Sequence, residues 1–284
     1  MKELLQHPFV KQIIELSFAE DIGEGDHTSL ASIPADAKGK SVIVAKEAGI
    51  IAGVALAEHI FKLIDTSLEV KLNKKDGDEM QVGDVIIEIA GSSISMLTAE
   101  RTVLNFMQRL SGISTQTNKY TQILKGLHTQ ILDTRKTTPG MRILEKWAVK
   151  NGGGVNHRFG LYDMILLKDN HVDFAGGIKQ AIESTHRYLK LKNLQLKVEI
   201  ETRSIDEIKQ VLEVGGVDRI MLDNFSVELM KEGVALINGK FETEASGGIT
   251  LQTLRAYAET GVDYISSGAL THSIKSIDLS MRAV

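Results

Sequence analysis

The chain has 284 residues, 43% of them hydrophobic and 25% charged, with a formal net charge of -4 and a pI near 6.1. That length supports a large core in two domains or one, and the acidic balance gives no basis for binding nucleic acid or an anionic membrane. There is no cysteine, which excludes disulfides, thiolate metal sites and cysteine nucleophiles. No run approaches the roughly 18 apolar residues of a membrane span, and the first residues lack the apolar core of a secretion signal, so a soluble cytoplasmic protein is expected.

In chain order, residues 4–20 carry Leu5, Phe9, Ile13 and Leu16 at helical spacing, followed by the glycine-broken acidic loop EDIGEGDHTS. Residues 41–94 read as short strands joined at Asp76-Gly77 and Gly83-Asp84, with a helix inserted over 55–63. Residues 98–110 read as a helix capped by Thr98, with Arg101 in its first turn.

From about residue 131 the pattern becomes strand, tip, helix: LKVEIE before SIDEIKQVLEVGG, RIMLDN before SVELMKEGVALING, FETEASGG before ITLQTLRAYAETG, then VDYISSGA. Val227, Met230, Val234 and Ile237 share one helical face, as do Ile205, Ile208, Val211 and Leu212. Such units specify a parallel sheet covered by helices. Glu199, Asp223, Ser246 and Gly268 recur at steps of 24, 23 and 22, on the face where α/β sheets place their chemistry. An eight-stranded barrel takes about 250 residues. About 170 remain here, which predicts an incomplete, six- or seven-stranded α/β barrel, with a doubly wound sheet as the alternative.

Between Arg135 and Arg158 six Lys or Arg stand against one acid, Glu145. Arg142, Lys146 and Lys150 fall at i, i+4, i+8 and read as a solvated helix face. Arg135, Lys136, Arg158 and Lys168 flank strand ends and read as an anion site, since guanidinium forks match carboxylates and phosphates. The loops Ser246, Gly247, Gly248 and Ser267, Gly268 expose backbone N–H groups. A helix is expected directly after SGG, making a phosphate seat. Glu199 and Asp223 read as Mg²⁺ ligands, direct or through water, or else as salt-bridge partners of the cations. His157 reads as a substrate donor, and no zinc-type histidine spacing occurs. The glycines of NGGGVNHR read as close packing that delivers His157 and Arg158. The residues alone leave phosphoryl, glycosyl and carboxyl transfer open.

The segment LDTRKTTPGMRILEKWAVKNGGGVNHRFGLYDMILLKDNH closely resembles the quinolinate phosphoribosyltransferase (carboxylating nicotinate-nucleotide pyrophosphorylase) family, as do EDIGEGDHTS, VEIE, IMLDNF, EASGGI and SSGALTHS. The resemblance implies conversion of quinolinate and phosphoribosyl pyrophosphate to nicotinate mononucleotide, pyrophosphate and CO₂, in NAD biosynthesis. It implies an N-terminal α/β sandwich domain over 1–110, with the tail 271–284 packed back onto it, and a TIM-like catalytic barrel over 111–270. A homodimer with a shared active site is also implied, and further assembly of dimers is left open.

By this resemblance, Arg135, His157, Arg158 and Lys168 hold the quinolinate carboxylates, with Thr134 and Lys136 in the same loop and Arg101 reaching in from the neighbouring subunit. Glu199 and Asp223 meet the ribose hydroxyls and Mg²⁺-pyrophosphate. Ser246 to Gly248 and Ser267, Gly268 and Ala269 seat the 5-phosphate. Lys136, Lys168, Glu199 and Asp223 are the expected catalytic set. The Glu199-to-Asp223 spacing is a few residues longer than the family's, an excess assigned to the EVGGVDR turn. The alternatives are a related phosphoribosyltransferase, such as a nicotinate phosphoribosyltransferase or the molybdenum-operon paralogue, and a non-enzymatic sensor of phosphorylated ligands.

Overall fold

The computed structural model describes residues 2–284. The chain forms two compact units, one of residues 2–118, 137–153 and 269–284, the other of residues 119–136 and 154–268. The first unit runs past the expected division at residue 110, to 118, and also takes in 137–153. No described helix is long and apolar enough to cross a membrane.

The first unit carries a four-stranded antiparallel sheet in the order Leu279–Ala283, Lys38–Ala45, Val85–Ser92, Glu69–Leu72. Ile43, Ile87 and Ile89 point into its core, and helix Val54–Ile64 buries Leu56, Ala57, Ile60 and Phe61 on one face. The expected tail thus supplies an edge strand, paired residue for residue with 41–45.

The helix expected over 98–110 is one part of a 32-residue helix, Ser93–Leu124, so Thr98 does not cap it. Its continuation, SGISTQTN, looks like a loop because of its small polar residues. Those hydroxyls are in fact buried and bonded: Ser111 Oγ accepts from Ala52 N (2.9 Å), and Ser114 Oγ donates to Ala148 O (2.7 Å). Thr117 Oγ1 donates back to Ile113 O (2.8 Å). A small, bonded side chain lets neighbouring backbone come close, which composition alone disguises as a turn.

The second unit is a six-stranded, wholly parallel sheet in the order Gln130–Leu132, Tyr264–Ser266, Glu242–Ser246, Arg219–Asp223, Val198–Thr202, Ile165–Leu167. The strands that come first and second in the chain sit at opposite ends, and only an isolated bridge, Leu132 to Val155, extends the first. This is the expected incomplete α/β barrel, with six strands. Helices Ile205–Val214 and Val227–Ile237 follow their strands. A serine starts each one, its Oγ accepting a first-turn N–H that has no partner within the helix: Ser204 from Glu207 N, and Ser226 from Leu229 N. All six strands run the same way, so their C-terminal ends share one face.

Candidate active site

The strand Gln130–Leu132 ends at Asp133, which is fully buried and organises the neighbouring loop. Its carboxylate accepts the backbone N–H of His157 (2.8 Å) and the Asn156 side-chain amide (2.6 Å). This ties the NGGGVNHR passage to the first tip. Gly152 is where close packing is demanded, since a Cβ there would run into Ser114 O and Thr117, and Gly153 turns the chain at φ +90°.

Arg135 and Arg158 are each half-buried. Burial, and then the nearby charge of Arg135, hold the Arg158 guanidinium below its usual range. Arg158 Nη1 donates to Met164 O (3.2 Å). Two desolvated like charges at one strand mouth are a site prepared for an anion. Lys136 is exposed beside them, its backbone N–H held by Thr134 Oγ1 (3.0 Å), so Thr134 shapes the loop.

Two expectations at the next tips need correction. Glu199 has no exposed surface, and His157 turns its ring inward. His157 Nε2 lies between Glu199 Oε2 (2.9 Å) and Glu244 Oε2 (3.2 Å). Nδ1 accepts the backbone N–H of Arg158 (2.7 Å). Both ring nitrogens are therefore taken up within the protein, and the side chains of His157 and Glu199 are both covered. Burial works against a charged ring, but the two carboxylates outweigh it and raise His157 to about 9. Burial and the Glu244 charge raise Glu199 to about 7, and Glu244 is held ionised by His157 and Arg219 despite its burial. The Arg158 N–H at Nδ1 needs a lone pair there, so the additional proton of this pair sits on Glu199.

The carboxylate at the mouth is Glu201, two residues further along the same strand and on the same face. It lies 3.7 Å from Lys168 Nζ, and its carboxyl is raised by burial and by the charge of Asp223 at the neighbouring strand end. The sequence held a signal for this residue: measured from Glu201 the tip spacing is 22, 23 and 22, more even than from Glu199. The excess spacing assigned to the EVGGVDR turn shrinks by two with that change. Glu201 and Asp223 suit magnesium, because two neighbouring carboxylates at an open mouth, one already pushed toward protonation by the other, are relieved by a dication. The deeper set of His157, Glu199 and Glu244 could also place three donors around an ion. There, however, Arg219 Nη1 lies 2.9 Å from Glu244 and balances the charge without one.

Lys168 is exposed and precedes helix Asp169–Ala175. His171 Nδ1 accepts its backbone N–H (3.0 Å), which makes His171 a cap. At the fourth tip, Ser246, Gly247 and Gly248 form a tight loop with φ of +101° and +60° at the glycines, and Asn224 donates its backbone N–H to Ser246 O (2.9 Å). The helix expected directly after SGG does not begin until Leu254 and is five residues long. Thr250 and Thr253 form a turn in between, with Thr250 N donating to Thr253 Oγ1 (3.0 Å). A phosphate here meets loop N–H groups and no long helix dipole. Ser267, nearly buried, donates its N–H to Leu132 O (3.0 Å), with Gly268 next to it. Arg101, exposed on the long helix, and Ala269 are counted with the first unit. Lys146 is buried, not part of a solvated face as its spacing suggested.

The gathered tips are thus cationic at Arg135, Lys136, Arg158 and Lys168, acidic at Glu201 and Asp223, and glycine-rich at the last two strands. The family model for the quinolinate phosphoribosyl transferase C-terminal domain matches residues 113–282, and that for its N-terminal domain matches 26–111. A chloroplastic carboxylating nicotinate-nucleotide pyrophosphorylase of Arabidopsis thaliana is 48% identical over 96% of this chain and 82% of its own. A probable carboxylating nicotinate-nucleotide pyrophosphorylase of Bacillus subtilis is 45% identical over 98% of this chain and 94% of its own. The crystal structure of NadC from Streptococcus pyogenes, 39% identical, superposes with a TM-score of 0.93 over 98% of both chains. The nicotinate-nucleotide pyrophosphorylase from Francisella tularensis does so at 0.92, with 38% identity over 99% of both. The chain belongs to the quinolinate phosphoribosyltransferase family.

Proposed function

We propose that the strand-tip site transfers a phosphoribosyl group from phosphoribosyl pyrophosphate to the ring nitrogen of quinolinate, with loss of pyrophosphate and CO₂, as a step of NAD biosynthesis. The observation that carries this is the pairing of Arg135 with Arg158, two half-buried cations whose mutual repulsion a dicarboxylate relieves. Arg135, Arg158 and Lys168 hold the two carboxylates, with Lys136 at the same mouth. Asp133, through the backbone N–H of His157, positions that arm of the site. Ser246 to Gly248 and Ser267, Gly268 and Ala269 receive the 5-phosphate through loop N–H groups.

Glu201 and Asp223 take the place first given to Glu199 and Asp223, meeting the ribose hydroxyls and holding Mg²⁺. When bound, Mg²⁺ neutralises the departing pyrophosphate. The protein's own task is to align the pyridine nitrogen with C1 of the ribose and to oppose the charge that develops as that bond breaks. Ring alkylation makes the nitrogen cationic, so it stabilises the electron pair left on the adjacent ring carbon when CO₂ departs, and a proton from solvent then takes the place of the CO₂. No strong base is needed.

The same proposal includes a homodimer in which Arg101 completes the partner's site, and a cytoplasmic location. Arg101 is exposed on its helix, which leaves it available for that role. A related phosphoribosyltransferase acting on a monocarboxylate has no use for a second arginine, and a phosphate sensor has no use for Glu201 and Asp223 together. Purified protein given quinolinate, phosphoribosyl pyrophosphate and Mg²⁺ is expected to release CO₂ and pyrophosphate in equal amounts. Turnover with nicotinate and none with quinolinate would overturn the reading.

A further inference from the structure

One layer beneath the strand tips, the barrel interior carries charge where such layers ordinarily take branched apolar residues. Glu199 and Glu244 are wholly buried, and Arg219 is nearly so. The Arg219 guanidinium is fixed from three sides. Nη1 lies 2.9 Å from Glu244 Oε2, Nη2 and Nε lie 3.0 and 3.2 Å from Glu242 Oε2, and the plane sits 4.1 Å over the Tyr264 ring. Glu244 then meets His157 Nε2 at 3.2 Å, and the far side of that ring, Nδ1, accepts the backbone N–H of Arg158 at 2.7 Å. A continuous run of contacts leads from a buried arginine to the backbone of an arginine at the mouth.

Replacing such a buried cluster with apolar side chains is often neutral or stabilising, so stability alone does not account for it. Fixing an orientation does. An imidazole held at Nε2 cannot swing, and its Nδ1 then sets where the Arg158 backbone, and so its guanidinium, stands relative to Arg135. The arginine fork recognises a carboxylate only when correctly turned.

We propose that Glu244, anchored by Arg219, is a positioning residue for the dicarboxylate half of the site, acting through the His157 ring on Arg158. Glu244 touches no substrate. The proposal rests on the assignment of quinolinate to Arg135 and Arg158, and the wild-type turnover assay with quinolinate tests that assignment separately.

The experiment is steady-state kinetics of the full chain with Glu244→Gln, Arg158→Lys and the double variant. Glu244→Gln is expected to raise the quinolinate KM about tenfold or more while leaving the phosphoribosyl pyrophosphate KM unchanged, the size expected for loss of a partner that orients a binding residue. In the Arg158→Lys background the same change is expected to add little, because both act on one element. A Glu244→Gln enzyme with an unchanged quinolinate KM overturns the proposal. So does an equal rise in both KM values, or a full additional loss in the Arg158→Lys background. If circular dichroism shows Glu244→Gln unfolded, Glu199→Gln goes through the same cycle. It removes the other carboxylate from His157 Nε2 while keeping the Glu244–Arg219 pair, and the same outcomes decide. Wild-type protein inactive on quinolinate would instead remove the underlying assignment.

Discussion

Lys168 Nζ stands 3.7 Å from Glu201 Oε2, with the lysine side chain half exposed and the carboxylate almost covered. Glu199 lies on the same strand and face, two residues back, and is sealed. One strand thus carries two glutamates with separate tasks, distinguished by a single layer of depth.

That depth gives Glu201 the role at the mouth. Glu201→Gln should fold normally and lose about 100-fold or more in kcat/KM, with a raised Mg²⁺ requirement, as expected when charge opposing a developing transition state is removed. Pyrophosphate release measured across a Mg²⁺ titration checks it. Full activity in Glu201→Gln would return the mouth role to another residue.

Gly247 and Gly248 are adjacent, and their substitution should have unequal consequences. A Cβ at Gly247 would meet the Asn224 backbone N at 2.8 Å on top of a φ of +101°, whereas at Gly248 nothing lies within 4 Å. Gly247→Ala should cost about 2 kcal/mol or more and Gly248→Ala about 1 kcal/mol, measured by urea unfolding. Equal losses at the two positions would show that the close approach to Asn224 does not matter.

The buried cluster makes stability depend on pH with a definite sign. Glu199 rises from 4.5 to about 7 on folding, and the N–H that His157 Nδ1 accepts keeps the proton of this pair on Glu199. Groups raised on folding bind protons more tightly in the native state, so their contribution is fully present on the acid side. It is lost as pH rises from the unfolded value of 4.5 through about 7. Thermal midpoints should therefore fall between about pH 5 and about pH 7, in the absence of substrates, by about a few degrees. Glu199→Gln should flatten that fall. A rising midpoint across this interval would contradict the assignment.

A shared site has a signature in mixtures. Arg101→Ala and Lys136→Ala should each be inactive alone. Subunit exchange between them should restore part of the activity, since a hybrid dimer keeps one intact site. Activity that stays absent after verified exchange would place Arg101 outside the partner's site.

The repeat of strand, tip and helix is legible in the sequence because it arises directly from side-chain periodicity. Val227, Met230, Val234 and Ile237 mark a helix face, and RIMLDN a strand buried on both sides. The anion-binding cations are legible from their places beside strand ends. Glu199 and Glu201 share a face two residues apart and differ only in depth, which no local pattern encodes and only the even spacing of the strand tips from Glu201 marks. The helix through SGISTQTN is hidden because its stability comes from distant partners, Ala52 and Ala148, that bond its hydroxyls. Lys146 defeats its own spacing for a related reason: periodicity tells which residues share a helix face, but not which face is covered.

The pairing of Leu279–Ala283 with Lys38–Ala45 has a consequence for the order of events on the ribosome. The first unit is drawn from three separated stretches, and its sheet lacks an edge strand until the last of them has been made. While roughly 230 intervening residues are translated, strand Lys38–Ala45 presents an unpaired hydrogen-bonding edge, which in other chains invites association with foreign strands. Residues 119–136 and 154–268, which carry the parallel sheet, are synthesised within that interval. The unit that begins the chain therefore closes on the strand that is made last.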